Sequence, residues 1–413
     1  MEKDALSPAD RALCSALCYG VVQNYALLDY YISCFSTVPP KKLEPKVLDI
    51  LRLSAYQLVF MNKIPPRAAV SEGVKLCRSL GYARAAGLVN AVLRRISENL
   101  GSLPEIKAAS HAELLSIKYS CPLPLTEYFI SLLGTDEAER LMKSQNEPAP
   151  LSIQANTTRV TTEALLKSLI SSGVTAEMHP YLPGCILARD TGDLSLLPEF
   201  RRGEFYVQDA AARMAVMLAS PKRGDRILDV CSAPGGKSFA AAVMTDGQCG
   251  IISCDISEKK LTRIQSGAER LGFSGVISTA AQDGRHFVPG WESAFDVVIC
   301  DVPCSGLGVI RKKPDIRFKP LSEFDALAQI QLDILANASR YVKPGGVLLY
   351  STCTVRTEEN EDVVRLFLES NAGFRTEDLT LPGSIPVHDG QARFYPQRDG
   401  TDGFFAARMR RIQ

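Results

Sequence analysis

From Pro8 to about Leu133 the apolar residues recur three and four positions apart, as in LDYYISCF, VLDILRLSAYQLVF and AAGLVNAVLRRI, with Gly, Pro and Lys between the runs. That spacing lays an apolar stripe along a helix, so an all-helical N-terminal domain is expected over residues 1–135. From about Asp136 to Met217 the pattern shortens. PLSIQANTTR reads as a strand, TTEALLKSLISSG as a helix with a Thr cap, and GCILAR and GEFYVQD as further strands, which makes residues 136–217 a small α+β domain. Over residues 218–413 short apolar strands alternate with helical stretches: RILDVCS, GIISCDIS, GVISTAAQD, AFDVVICDVP and GGVLLYSTC. This alternation predicts a parallel, doubly wound, Rossmann-like α/β sheet, made mixed by a terminal strand pair that includes GFFAARMRR.

Composition agrees with several packed domains. The 413 residues exceed one ordinary core, and 46% hydrophobic with 23% charged residues is a globular balance. The start, MEKDALSPADRALC, is acidic where a secretory leader needs a basic flank, and no apolar run reaches membrane-spanning length, so a cytoplasmic protein without membrane contact is expected. A net charge of +1 leaves nucleic-acid binding to local patches. None of the 12 cysteines forms a C-x-x-C pair, which argues against a zinc ribbon and leaves no metal site expected.

Candidate chemistry gathers at the strand ends. In DVCSAPGGKSFAA, residues Pro234, Gly235 and Gly236 allow a tight turn that brings backbone N–H groups close to a ligand. A Walker A loop is excluded because Cys231 stands where its first glycine belongs. Asp255, Asp283 and Asp301 close the next three strands; one alone would read as a solvated carboxylate, but three beside a glycine turn mark a ligand crevice. Cys304 in DVPCSGLG and Cys353 in STCTV follow the fourth and fifth strands and would face the same crevice. Either thiol alone reads as an inert buried residue. Two thiols and a carboxylate suit methyl transfer to C5 of cytosine: a thiolate adds at C6, C5 becomes nucleophilic toward a sulfonium methyl, and an acid supports N3.

These three motifs resemble the S-adenosylmethionine-binding, Pro-Cys and Thr-Cys motifs of the RNA cytosine-C5 methyltransferases. The helical region, with LRLSAYQLVFMNKIPPRAAVSEGV and GLVNAVLRRI, is similar to the NusB-like RNA-binding domain of the Sun (RsmB) family of bacterial 16S rRNA methyltransferases. The resemblance implies a class I methyltransferase domain acting on a cytosine of 16S rRNA, usually cytosine 967 in that family. It implies that Cys231, Ser232, Ala233, Pro234, Gly235, Gly236 and Lys237 lie along S-adenosylmethionine, with Asp255 on the ribose, Asp283 near the adenine and Asp301 near the methyl and base. It also makes Cys353 the nucleophile and Cys304 the thiol that assists release. Gln208 and Asp209 in VQDAAA resemble a motif that closes the cofactor site, and DGFF, Asp402 to Phe405, resembles the family's last strand.

The family's Arg-x-Asn appears as Gln154 to Asn156, so only Asn156 remains of that RNA contact. Glu358, Glu359 and Asn360 are expected to cap and orient a helix. The basic run RKKPDIRFK supplies Arg311, Lys312, Lys313 and Arg317 as candidate phosphate contacts, with Arg94, Arg95, Arg201 and Arg202 behind them. The target base should be single-stranded or flipped out, since stacking hides C6. DNA is disfavoured because its methyltransferases place the nucleophile in the Pro-Cys motif. Alternatives are a tRNA cytosine-C5 methyltransferase and a non-catalytic RNA-binding assembly or antitermination factor. Nothing in the chain demands an oligomer, and a monomer is expected.

Overall fold

The computed structural model describes residues 7–413; the first six residues of the acidic start lie outside the described residues. The chain divides into two compact units, Met1–Glu147 together with Lys313–Lys319, and Pro148–Lys312 together with Pro320–Gln413.

The first unit is helical, with helices including Pro8–Gln23, Tyr25–Phe35, Pro45–Phe60, Pro66–Ser79 and Ala86–Glu98. Pro8, Pro45 and Pro66 start three of these helices, and two of the three also have a side-chain cap; the Glu44 carboxylate, for instance, accepts from the Val47 N–H. Leu28, Ile32, Leu51, Ala55, Val89, Leu93 and Ile96 form a buried core. Within it Arg52 makes a two-pronged bond to Asp29 at 2.7 and 2.8 Å, with its guanidinium 3.9 Å from the Tyr25 ring centre. Helices His111–Lys118, Leu123–Leu133 and Thr135–Asn146 complete the unit.

The second unit opens with strands β1 (Leu151–Ala155), β2 (Thr175–Met178), β3 (Cys185–Arg189) and β4 (Phe205–Val207), in the antiparallel order β2-β3-β1-β4. The helix Thr162–Ser171 begins at Thr161, whose hydroxyl accepts from the Ala164 N–H, the cap that its sequence predicts.

A larger sheet follows. Its parallel part comprises β5 (Arg226–Asp229), β6 (Gly250–Asp255), β7 (Ile277–Ala281), β8 (Phe295–Asp301) and β9 (Val342–Thr352). Strands β10 (Phe374–Thr376), β11 (Val387–His388), β12 (Gln391–Phe394) and β13 (Phe404–Arg411) are added antiparallel. The order is β11-β12-β13-β9-β8-β5-β6-β7, with β10 on β13. The strands stay parallel, but the order in which they are added reverses at β5, which lies between β6 and β8, and a crevice opens at the carboxyl ends of strands around such a point. The short β11 and β12 extend the expected terminal pair.

Among the described residues no helix is long and apolar enough to cross a membrane. Nor is any group of three or more His, Cys, Asp or Glu side chains placed to hold a metal ion.

Candidate active site

The glycine turn follows β5. Gly235 has φ +105°, and a Cβ there would lie 2.7 Å from the Phe239 ring, so only glycine fits. The helix Gly236–Met244 starts with no capping side chain, and the Gln208 amide packs where a Cβ on Gly236 would point. Ser232 is tied to the next strand, its N–H and hydroxyl both donating to the Cys254 carbonyl at 2.7 and 2.9 Å. Burial, reinforced by Asp229 and other nearby carboxylates, pushes the Cys231 thiol up, so it stays protonated.

Asp229, at the end of β5, is a carboxylate that the count of strand-end acids overlooked. It accepts from Ser238 at 2.7 Å, its Oδ1 has no hydrogen-bond partner, and burial raises its pKa to about 7. A strand-end acid just before the glycine turn was available as its signal. On β6, Asp255 is buried and its Oδ1 accepts from the Ser257 N–H at 2.9 Å. Asp283, beyond β7, is paired with Arg285 at 2.7 Å, which lowers its pKa to about 2.

Asp301, at the end of β8, sits opposite Ser351 of β9 in parallel register, and the Ser351 hydroxyl donates to it at 2.9 Å. Lys237 completes the pair. Only 7% exposed, it places Nζ 2.6 Å from Asp301 and 4.9 Å from the centre of the Phe404 ring. The first turn of this helix faces inward, with Lys237, Ser238 and Phe239 all buried.

The structure brings together the two thiols that the sequence set 49 residues apart. Cys304 Sγ and Cys353 Sγ are 3.1 Å apart, and the Cys353 N–H points at Cys304 Sγ at 3.3 Å. Cys304 has its pKa pushed far up, first by this sulfur contact and then by burial, so its thiol holds its proton tightly, and either sulfur can donate in the contact. The two loops meet again where the Gly308 N–H donates to the Cys353 carbonyl at 3.0 Å and the Gly403 N–H to the Gly308 carbonyl at 2.9 Å. A Cβ on Gly308 would lie 1.9 Å from the Gly403 oxygen, so this crossing requires glycine.

Four candidate RNA contacts fall elsewhere. Asn156 is fully buried, donating to the carbonyls of Gly203 and Leu271, so it joins the small sheet to the larger domain and offers RNA nothing. The Arg311 side chain is 9% exposed and bonds to Asp402 at 3.1 Å, while Lys312 Nζ bridges Asp209 and Asp402 at 2.9 and 2.6 Å. These cations neutralise internal carboxylates, an interaction that local sequence does not display. Arg317 is 2% exposed inside the helical unit, donating to the carbonyls of Gln23, Tyr119 and Ser120 and to Asn146 Oδ1; burial lowers its pKa to about 10. Of the basic run, Lys312, Lys313 and Lys319 are exposed, Lys312 with its ammonium held by the two carboxylates. Arg94 pairs with Glu98, Arg95 reaches the Phe35 carbonyl, Arg201 the Ser195 carbonyl, and Arg202 binds Glu204.

Asn360 also departs from expectation. It precedes the helix Glu361–Ser370 but makes no side-chain cap; its amide turns back to Thr352 and Thr354.

Comparison with known proteins places this geometry in a lineage. A model described as 16S rRNA methyltransferase RsmB/F matches residues 215–410, one of the NusB family residues 1–98, and one of the RsmF/B-like ferredoxin-like domain residues 124–194. The chain is 33% identical to the probable ribosomal RNA small subunit methyltransferase B of Bacillus subtilis over all of this chain and 93% of that protein. It is 31% identical to ribosomal RNA small subunit methyltransferase B of Cronobacter sakazakii, over 98% and 91%. Its structure is similar to that of PH0851, with a TM-score of 0.81 and 26% identity over 98% of this chain and 91% of that one. It is also similar to NSun6 of Pyrococcus horikoshii, solved with the S-adenosylmethionine analogue SFG, with a TM-score of 0.63 and 25% identity over 70% and 97%.

Proposed function

The chain belongs to the RsmB/F family of 16S rRNA methyltransferases, and from that premise we propose that it methylates C5 of a cytosine in 16S rRNA, the family's cytosine 967, through a bond between Cys353 and C6. That it is an RNA methyltransferase follows from membership. The covalent route is supported by one observation, the 3.1 Å contact that sets the two thiols side by side at the ends of neighbouring strands.

The residues present fit S-adenosylmethionine, which when bound supplies an electrophilic methyl group on a sulfonium. Gly235 opens the turn to close backbone approach, and the uncapped N–H groups from Gly236 onward suit a carboxylate. Residues Cys231 to Lys237 would line the ligand, with Asp255 accepting from ribose hydroxyls, Asp283 toward the adenine, and the carboxylates of Asp229 and Asp301 compensating positive charge.

In the reaction Cys353 adds to C6 while Asp301, oriented by Ser351 and Lys237, supports the N3 edge of the ring. Attack by C5 on the methyl group would leave the methylated adduct, from which a base takes the C5 proton so that the electron pair forms the C5–C6 double bond and expels the sulfur from C6. The S–H of Cys304 then stabilises the sulfur of Cys353 as the C6–S bond breaks. Residues 1–135 would bind RNA, 136–217 would form the joining domain and 218–413 the catalytic domain. The chain would act as a cytoplasmic monomer on a single-stranded or flipped-out base, with Lys313 as a phosphate contact.

Trapping tests this reading. RNA bearing 5-fluorocytosine, with S-adenosylmethionine, should give a covalent complex that Cys353→Ser abolishes, whereas Cys304→Ala should accumulate a complex on ordinary RNA. A reversed pattern would exchange the two roles, and no complex with any 16S or tRNA fragment would sink the covalent mechanism.

A further inference from the structure

Two adjacent residues outside the reacting set each bracket one thiol. Glu359, 1% exposed, accepts from the Ser305 N–H at 2.8 Å and from Gln331 Nε2 at 3.0 Å. The same Gln331 nitrogen donates to the Pro303 carbonyl at 2.9 Å, so the backbone on both sides of Cys304 hangs from one carboxylate and its amide partner. Asn360, 3% exposed, does the same for Cys353: Oδ1 accepts from the Thr352 hydroxyl at 2.5 Å, and Nδ2 donates to the Thr354 carbonyl at 3.1 Å. The brackets are linked by Ser305 Oγ and Thr354 Oγ1, 2.7 Å apart, and the Glu359 carbonyl accepts from Tyr350 at 2.5 Å.

Their chemistry differs as the two thiols do. A carboxylate at this burial is costly unless charge-assisted bonds and a cation repay it, and Arg356 lies 3.7 Å away. Its negative charge is one of the influences that hold the proton on Cys304. The neutral amide of Asn360 brackets Cys353 without adding a charge beside the thiol that has to lose its proton.

We propose that Glu359 and Asn360 are positioning residues that divide the labour of the two cysteines: Glu359 sets Cys304 for release, and Asn360 sets Cys353 for attack. This rests on the covalent reading above and extends it to residues that touch neither base nor cofactor. Because each bracket holds the segment that carries a different thiol, damage to each should slow a different step.

The test uses the full chain and two RNAs. Wild-type protein is first trapped on 5-fluorocytosine RNA; if it forms no complex, the covalent reading has failed and the bracket assignment falls with it. Given trapping, Asn360→Ala should slow complex formation by about 10²-fold, the scale of an ångström-sized misplacement, without accumulating complex on ordinary RNA. Glu359→Ala should trap within about threefold of the wild-type rate, far less than a misplaced nucleophile would cost, yet accumulate complex on ordinary RNA as Cys304→Ala does. Glu359→Gln and Asn360→Asp retain an acceptor oxygen and guard against simple misfolding. Glu359→Gln should restore release at least partly, and Asn360→Asp should trap faster than Asn360→Ala. Equal slowing of trapping in both alanine variants, with no accumulation in either, would overturn the proposal even with the covalent reading intact.

Discussion

Cys304 Sγ and Cys353 Sγ face each other at 3.1 Å, each just beyond the carboxyl end of a neighbouring parallel strand. Adjacent strands in register make the contact: Asp301 lies opposite Ser351, and each cysteine follows within three residues.

A mild thiol oxidant such as diamide should therefore couple this pair. The two thiols would give up two protons and two electrons to the diazene and form one disulfide, after a shift of about 1 Å from contact to bond length. Methyl transfer should be lost and recover with dithiothreitol, and peptide mapping without reductant should show Cys304 joined to Cys353. Retained activity with both thiols still alkylatable would contradict the prediction.

Lys237 and Asp301 form a pair at 2.6 Å with one partner almost fully buried. Lys237→Met and Asp301→Asn should each lower kcat by about 10²-fold or more, and the double variant should be little worse than the poorer single one. Multiplicative losses would show that the two residues act independently.

Asp229 should leave a signature in stability against pH. Its folded pKa of about 7 lies above its ordinary 3.8, so the folded state holds the proton more tightly. That contribution is full below 3.8 and is lost as pH rises toward and past about 7. Urea unfolding from pH 4 to pH 8 should show a decline that Asp229→Asn reduces; identical slopes would count against the raised value.

At the Gly308 and Gly403 crossing, alanine at either position forces two backbones apart, since added Cβ atoms would lie 1.9 and 2.7 Å from the facing chain. Gly308→Ala should cost about 1–3 kcal/mol in denaturant unfolding and reduce methylation more than binding of S-adenosylmethionine. Unchanged stability would mean that the loop shifts freely.

Arg317 and Lys313 should separate cleanly. Arg317→Ala removes a donor from four acceptors, of which the Tyr119 carbonyl keeps Asn146 Nδ2, and should destabilise the protein by roughly 3 kcal/mol, while the salt dependence of RNA binding stays the same. Lys313→Ala should leave stability alone and flatten log affinity against log salt by about 0.7 if it meets a phosphate of single-stranded RNA. Filter binding over a salt series with matched melting curves decides between them.

Short-range pattern determined much of this protein. Strand alternation, the glycine turn, acids at strand ends and the helical stripes are local signals, and they were enough to predict the three architectures and to assign Asp301, Cys304 and Cys353 to one crevice. What local pattern could not carry was the pairing of charges. RKKPDIRFK reads as one basic surface because its neighbours in sequence are all that sequence displays. Folding instead turned Arg311 and Lys312 onto Asp402 and Asp209 and buried Arg317 among helix-end carbonyls. Asn360 likewise looked like a cap, and the turn it occupies aimed its amide backward. A strand end has its direction from its own residues, whereas a buried ion pair or a bracket exists only once distant segments have met, since a polar group leaving water takes whichever partner packing provides.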